Sequence, residues 1–182
     1  GVQPACINTV LQIFADLQEK SHLARVAERV LFMPDLINYL LSGVLSSEYT
    51  IASSSGLLNI DSQTWSDSVF ETLRIPKKWF GEVTQGGKVL RSLSPRITQE
   101  LKIEPFDVIA GAGHDTAAAV LAIPYASEQP TAFISCGTWS LVGLESQNSV
   151  TSQEALAANL TNEGCFDGRY RILKNTTGLW IC

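Results

Sequence analysis

The sequence predicts an α/β fold, and three patterns along the chain support this prediction. Apolar residues recur at helical spacing through much of the sequence before Phe106. The short apolar stretch Phe106–Ala110 then leads into a glycine-rich turn and an alanine-rich helix start. After residue 130, apolar and polar residues alternate, as they do in strands that are buried on one face. With 182 residues, 45% of them hydrophobic, the chain has enough apolar material to bury a core.

The first three predicted elements are helices. The first spans Ile7–Leu17, where apolar residues share one face, and the second continues through Val30. The third begins at Met33–Asp35, because proline is tolerated in a first helical turn and Asp35 suits the positive end of the helix dipole. Gly43 is placed to end it. The residues expected on its buried side are Leu36, Ile37, Tyr39, Leu40 and Leu41.

The middle of the sequence has a more varied pattern. Glu48–Asn59 mixes small hydroxylated residues with apolar ones, which suits a helix packed closely against a neighbour or beside a ligand. Thr64–Asp67 is typical of a helix N-cap, and Pro76 is expected to end the helix that follows. Gly81–Ser94 is rich in turn-forming residues and is expected to be a connecting loop or a set of short strands.

The pattern after Leu121 predicts a domain boundary and two hairpins. Ile123–Pro130 is proline-bounded and polar, which predicts a division into domains 1–126 and 127–182. The Cys136–Thr138 turn lies between two alternating stretches, and Asp167–Gly168 marks a second hairpin turn.

Charge and motif content exclude several classes of function. The chain has thirteen basic and eighteen acidic residues and a net charge of -5. This charge does not favour binding to the phosphates of nucleic acid. No apolar stretch reaches the roughly 18 residues of a membrane span, so we expect a soluble cytoplasmic protein. The four cysteines and two histidines lack metal-ligand spacing, so no metal site is expected from them. A serine hydrolase would need a G-x-S-x-G elbow and a P-loop kinase a Walker motif, and the sequence has neither.

Asp115 is the first candidate for chemistry. It follows Gly113 and His114 where a strand becomes a helix, and ligands of open α/β sheets collect at the carboxyl ends of strands. The helix dipole and nearby N–H groups would keep its carboxylate ionised, ready to accept a proton or hydrogen bond from a substrate hydroxyl. The same local pattern fits an ordinary helix cap equally well.

The Gly137–Thr138 turn is the second candidate. A hairpin tip offers free backbone N–H groups and one hydroxyl, which can cradle a phosphate without a lysine. A simple hairpin turn is the plainer interpretation of these two residues taken alone. Together with Asp115, on the other side of the expected domain boundary, they fit a two-domain kinase with a cleft between its lobes.

Two motifs at a characteristic interval, Gly113–Val120 and Ser135–Leu141, resemble the FGGY family of carbohydrate kinases. Further stretches that resemble the family are Phe32–Asp35, Glu48–Ala52, Ala157–Gly164 and Gly168–Asn175. The resemblance runs over essentially the whole chain. It implies the actin-like, ribonuclease-H-like two-lobed fold. Residues 1–126 would end the sugar-binding N-terminal lobe, and residues 127–182 would begin the nucleotide-binding C-terminal lobe.

The resemblance also implies an activity that uses ATP and Mg²⁺. The expected reaction is phosphorylation of L-rhamnulose at its primary hydroxyl, giving L-rhamnulose 1-phosphate in the breakdown of rhamnose. Asp115 matches the family's proton acceptor, and His114 and Thr116 match its sugar contacts together with Asp115. The positions that match the family's nucleotide site are Gly137, Thr138 and Asn175.

Two alternatives remain open at this point. One is a kinase for another ketose or a polyol, such as L-fuculose, L-ribulose or xylulose. The other is a non-catalytic, actin-like sugar-binding regulator, since a fold does not settle a function. The family's phosphate loop and adenine site would lie outside residues 1–182, so the chain is expected to be a central fragment without turnover of its own.

Overall fold

Helices and two-stranded sheets alternate in the first part of the chain, and a four-stranded sheet follows. The computed structural model describes residues 1–125 and 131–179. The helices in these residues are α1 (Thr9–Gln18), α2 (His22–Val26), α3 (Met33–Ser42), α4 (Tyr49–Ser53), α5 (Asp67–Leu73), α6 (Pro95–Leu101), α7 (Asp115–Leu121) and α8 (Gln153–Ala157), with a 3₁₀ turn at Lys77–Trp79. The strands are β1 (Ser46–Glu48), β2 (Leu58–Asn59), β3 (Thr64–Trp65), β4 (Glu82–Thr84), β5 (Val89–Ser92), β6 (Asp107–Ile109), β7 (Ala132–Cys136), β8 (Trp139–Ser146), β9 (Thr161–Gly164) and β10 (Tyr170–Thr177). The α/β prediction is therefore confirmed.

The sheets differ in direction and size. β1 pairs with β4 in parallel, whereas β2 with β3 and β5 with β6 form antiparallel pairs. The larger sheet is antiparallel with strand order β7-β8-β10-β9. In its register Cys136 lies opposite Ser140, and Leu141 lies opposite Asn175. The ends of β7 and β10 therefore lie on either side of the start of β8.

An aromatic cluster forms the core of the first part of the chain. The Trp65 ring lies 5.0 Å from Phe80 and 5.9 Å from Phe70, measured between ring centroids. The Trp65–Phe70 pair is edge-to-face, and a pair of this kind adds about 0.5–1.5 kcal/mol beyond the area it buries. The fully buried Ala52 and Leu57 belong to the same cluster, so α4 is anchored in the core.

The early helices depart from prediction in two ways. α2 ends at Val26 instead of continuing to Val30, because the chain becomes extended there and the Val30 N–H donates to the Trp79 carbonyl, 2.8 Å away. α3 has the predicted length and ends at Gly43, whose φ is +73°. Its buried side, however, holds Asp35 and Ser42, while Ile37 and Leu40 are 52% and 59% exposed.

The helix predicted within Glu48–Asn59 is shorter than expected, because α4 spans only Tyr49–Ser53 and Leu58–Asn59 forms β2. The elements after residue 100 mostly follow the predictions. β6 forms within Phe106–Ala110, but Val108 is buried while Phe106 and Ile109 are more than half exposed. Both hairpins are confirmed, and the turn at Asp167–Gly168 has Gly168 at φ +83°, a conformation that glycine tolerates.

α4 packs against β9 and so joins the two described parts of the chain. The Gly164 N–H donates to the Ser53 hydroxyl at 2.7 Å, and a side chain at Gly164 would collide with the Tyr49 ring. The predicted boundary between 126 and 127 lies outside the described residues, so the division into two domains stays a prediction. No helix among the described residues is long and apolar enough to cross a membrane.

Candidate active site

One cleft of about 530 Å³ collects all the site residues predicted from the sequence. They are His114, Asp115, Thr116, Gly137, Thr138 and Asn175. They come from α7 and the turn before it, from the β7–β8 turn and from β10. The structure therefore brings the two candidate groups together, although they are more than twenty residues apart in sequence.

Asp115 is the first residue of α7 and reaches into the cleft. Its side chain is 96% exposed. One carboxylate oxygen, Oδ1, accepts the Thr116 N–H at 2.6 Å. The other oxygen has no hydrogen-bond partner among the described residues.

His114 caps α7 and lies mostly behind the cleft surface, with its side chain 17% exposed. Its Nδ1 accepts the Thr116 N–H at 3.2 Å, and its Nε2 lies 3.6 Å from the Glu163 carboxylate. Burial lowers the pKa of His114, and the nearby Glu163 opposes that shift. Nδ1 also lies 3.1 Å from Asp115 Oδ1. Both ring nitrogens of this predicted sugar contact thus face protein groups.

Glu163 is held by a fully buried arginine on the neighbouring strand. Arg171 Nη2 lies 3.1 Å from Glu163 Oε2, and Arg171 is 0% exposed. Burial lowers the pKa of Arg171, and Glu163 opposes this as a counter-charge. Within the part of the chain that the structure describes, Nε and Nη1 of Arg171 have no hydrogen-bond partner. This cation therefore compensates the carboxylate that stands behind His114.

The Gly137–Thr138 turn differs from its prediction in one respect. The Gly137 N–H donates to the Trp139 carbonyl at 2.8 Å, so it is not a free donor as predicted. Thr138 is exposed, and neither its N–H nor its hydroxyl has a partner among the described residues. The Leu179 N–H donates to the Gly137 carbonyl, also at 2.8 Å, and ties the turn to the chain after β10. Asn175, half-buried on β10, faces the same cleft.

Sequence reasoning missed several polar residues of the cleft. They are Gln3, Asn8, Thr9, Ser54, Ser135, Thr161 and Glu163. For Thr161 and Glu163 a signal was available, since residues two apart in a strand share one face. For Asn8 and Ser54 there was none, because only the packing of α1 against the end of α4 brings them to the cleft.

The donor groups present fit magnesium that arrives with a nucleotide. Among the residues described, no group of three or more His, Cys, Asp or Glu side chains is placed to hold a metal ion. Mg²⁺ commonly keeps several waters and is bound through one or two carboxylates together with substrate phosphates. Of the two carboxylates lining the cleft in the described ranges, Asp115 is exposed and Glu163 is paired with Arg171.

Comparison with known proteins decides the family. Residues 7–122 match the family model described as the FGGY family of carbohydrate kinases, N-terminal domain. The chain belongs to the FGGY family. It is 40% identical over 181 residues to a rhamnulokinase from Enterobacter sp. (strain 638), a match that covers 100% of this chain and 36% of that protein. The chain thus spans about a third of the length of this curated relative.

Solved structures of FGGY proteins share the fold. A xylulose kinase from Rhodospirillum rubrum superposes with a TM-score of 0.80 at 15% identity, covering 96% of this chain and 35% of that one. A carbohydrate kinase from Novosphingobium aromaticivorans gives 0.76 at 22% identity, covering 96% and 39%. These likenesses confirm the predicted actin-like, ribonuclease-H-like fold, of which this FGGY chain forms a part.

Proposed function

We propose that the complete FGGY protein containing this chain transfers the γ-phosphoryl group of ATP to the primary hydroxyl of L-rhamnulose, giving L-rhamnulose 1-phosphate and ADP. The observation that carries the proposal is the cleft, where the exposed Asp115 carboxylate and the Gly137–Thr138 turn line one cavity. The identity of 40% to a rhamnulokinase supports L-rhamnulose as the sugar.

Asp115 is the proposed general base. Its free oxygen accepts the hydroxyl proton of the sugar as the hydroxyl oxygen attacks the γ-phosphorus. Positioned proton transfer of this kind contributes about 10²–10⁴-fold to a rate. The Thr116 N–H, 2.6 Å from Oδ1, fixes the carboxylate so that the other oxygen faces the substrate. His114 and Thr116 are the proposed sugar contacts beside it.

The nucleotide phosphates are proposed to lie against the β7–β8 turn. Thr138 would donate its unpartnered N–H and hydroxyl to phosphate oxygens, and Asn175 would contribute its side-chain amide from β10. Magnesium bound with ATP would neutralise phosphate charge during the transfer. Of the carboxylates that line the cleft in the described residues, Asp115 is the exposed one. Asp115 would therefore contact the magnesium ion directly or through water.

The test is ADP release by the full-length protein with L-rhamnulose, L-fuculose, L-ribulose, D-xylulose and glycerol in parallel. We expect the highest kcat/KM with L-rhamnulose, and a loss of at least about 100-fold in kcat for Asp115→Asn. Preference for another sugar would retain the mechanism and replace the substrate. Absence of turnover with every sugar, in a folded protein that binds them, would contradict the kinase proposal and favour a sugar-binding regulator.

A further inference from the structure

Glu48, which is 1% exposed and does not line the cleft, holds the turn before Asp115. Its Oε2 accepts four hydrogen bonds: from the backbone N–H groups of Thr50 at 3.0 Å, Ile51 at 3.2 Å and Gly113 at 2.9 Å, and from the Thr50 hydroxyl at 2.5 Å. One buried oxygen therefore both caps α4 and fixes a backbone group of the β6–α7 turn, 65 residues away in sequence.

Thr50 makes the second connection to this turn. Its hydroxyl donates to Glu48 and accepts the His114 N–H at 3.0 Å, while the residue is 0% exposed. The consecutive N–H groups of Gly113 and His114 are thus both held, and the next residue is Asp115. Neither Glu48 nor Thr50 lines the cleft, so neither touches a substrate there.

Gly113 allows the turn to approach this pair. A Cβ atom built on Gly113 would lie 2.9 Å from Glu48 Oε2 and 3.2 Å from Ile51 Cγ2, and Oε2 is fixed by its other hydrogen bonds. Any side chain at this position would move the turn away from Glu48. The small size of Gly113 and the hydrogen bonds from the Gly113 and His114 N–H groups therefore fix the turn in the same position.

We infer that Glu48 and Thr50 are positioning residues for Asp115. They hold the backbone of residues 113 and 114 so that the Asp115 carboxylate points into the cleft at the start of α7. This inference rests on the proposed function, in which Asp115 accepts the sugar proton. A displacement of about 1 Å at a reacting group can lower a rate by two orders of magnitude, so loss of one contact in this pair reduces kcat.

The test uses three variants of the full-length protein. Thr50→Val removes the hydroxyl and keeps the side-chain shape, Thr50→Ser keeps the hydroxyl, and Ser55→Ala is the matched control. Ser55 also follows Glu48 closely, is buried, and has a hydroxyl that donates to Ala52 and accepts from Leu57, but it does not contact the turn. We expect Thr50→Val to lower kcat on the order of tenfold or more with an unchanged KM for ATP. Thr50→Ser and Ser55→Ala should stay within about twofold of the parent.

A double-variant cycle separates this inference from the proposed function. Because Thr50 acts through Asp115, Thr50→Val should not slow Asp115→Asn any further. The inference is overturned if Thr50→Val is as active as Ser55→Ala, if Thr50→Ser fails to restore activity, or if the two losses multiply. In each of these cases an inactive Asp115→Asn leaves the proposed function standing. Full activity of Asp115→Asn overturns both this inference and the proposed role of Asp115 as the general base.

Glu48→Gln covers the case in which Thr50→Val does not fold, as judged by thermal unfolding. The amide keeps the shape of the side chain and weakens the charge-assisted acceptor. We expect Glu48→Gln to lower kcat as much as Thr50→Val does. Glu48→Gln should cause no further loss when it is combined with Asp115→Asn. A folded Glu48→Gln protein with the parent kcat would overturn the inference.

Discussion

At the scale of single residues, Asp35 shows why a local sequence rule can be right about an element and wrong about a side chain. The sequence places it in the first turn of α3, where a carboxylate suits the helix dipole, and the helix forms as predicted. The structure buries this carboxyl completely, with Oδ1 accepting the Glu48 N–H at 3.0 Å. Spacing along a helix gives its faces, but which face meets a neighbour depends on residues far away in sequence.

The buried Asp35 carboxyl predicts a pH dependence of stability. Burial raises its pKa from 3.8 to about 7; the Glu48 N–H opposes the shift and the Glu48 charge adds to it. The folded protein thus holds this proton more tightly than the unfolded chain. The associated stability is full below about pH 4 and is lost as the pH rises towards 7.

Asp35→Asn keeps an acceptor for the Glu48 N–H and removes this titration. The free energy of unfolding of the variant minus that of the parent is therefore expected to be more positive at pH 8 than at pH 5, as measured by urea unfolding. The exposed Asp61→Asn is the matched control and should show the same difference at both pH values. Equal differences for Asp35→Asn would contradict the assignment.

Arg171 provides a second prediction at this scale. Arg171→Met leaves the buried Glu163 without its counter-charge, and breaking a buried pair in this way costs about 3–5 kcal/mol. Arg171→Met combined with Glu163→Gln should recover much of the loss in chemical denaturation. Lys174→Met, exposed on the same strand, should change stability by no more than about 0.5 kcal/mol. A single Arg171→Met variant as stable as Lys174→Met would refute the role of the pair.

At the scale of elements, the sequence correctly predicted the helices and strands that are determined by neighbouring residues. The β7–β8 and β9–β10 hairpins follow from alternating residues around glycine turns, and α7 follows from the glycine-rich turn before it. α2 was predicted too long, because the apolar spacing through Val30 is helical while the Val30 N–H bonds to Trp79 instead. A tertiary hydrogen bond therefore outweighed the local pattern.

Gly178, which follows β10, packs closely against the β7–β8 turn. A side chain at Gly178 would collide with the Gly137 carbonyl oxygen and crowd the backbone of Thr138 and Trp139. Gly178→Ala is thus expected to displace the Gly137–Thr138 turn and raise the KM for ATP several-fold, with the KM for the sugar unchanged. Steady-state kinetics of the full-length protein measures both constants.

Gly111→Ala is the matched control for that substitution. A Cβ atom at Gly111 meets nothing within 4 Å, so the KM for ATP should stay at the parent value. A KM for ATP that is the same in both alanine variants would show that the turn does not contact the nucleotide.

At the scale of the whole molecule, the site depends on contacts that no local pattern contains. The sequence predicted a cleft shared by Asp115 and the Gly137–Thr138 turn, and the family resemblance added Asn175; the fold places all of them on one cleft. The residues behind them were not predicted, because the contacts of Glu48 with Gly113 and of Glu163 with His114 join elements that are far apart in the sequence. The roles of all these residues in catalysis stay predictions.

The central claim is that Asp115 accepts the proton of the sugar during phosphoryl transfer. The most direct test is single-turnover transfer from ATP to L-rhamnulose by the full-length protein and its Asp115→Asn variant, with the affinity for both substrates measured by calorimetry. We predict that the variant binds ATP and sugar nearly as well as the parent and transfers phosphate at least about 100-fold more slowly. Transfer at the parent rate, or a loss explained entirely by weaker binding, would contradict the claim.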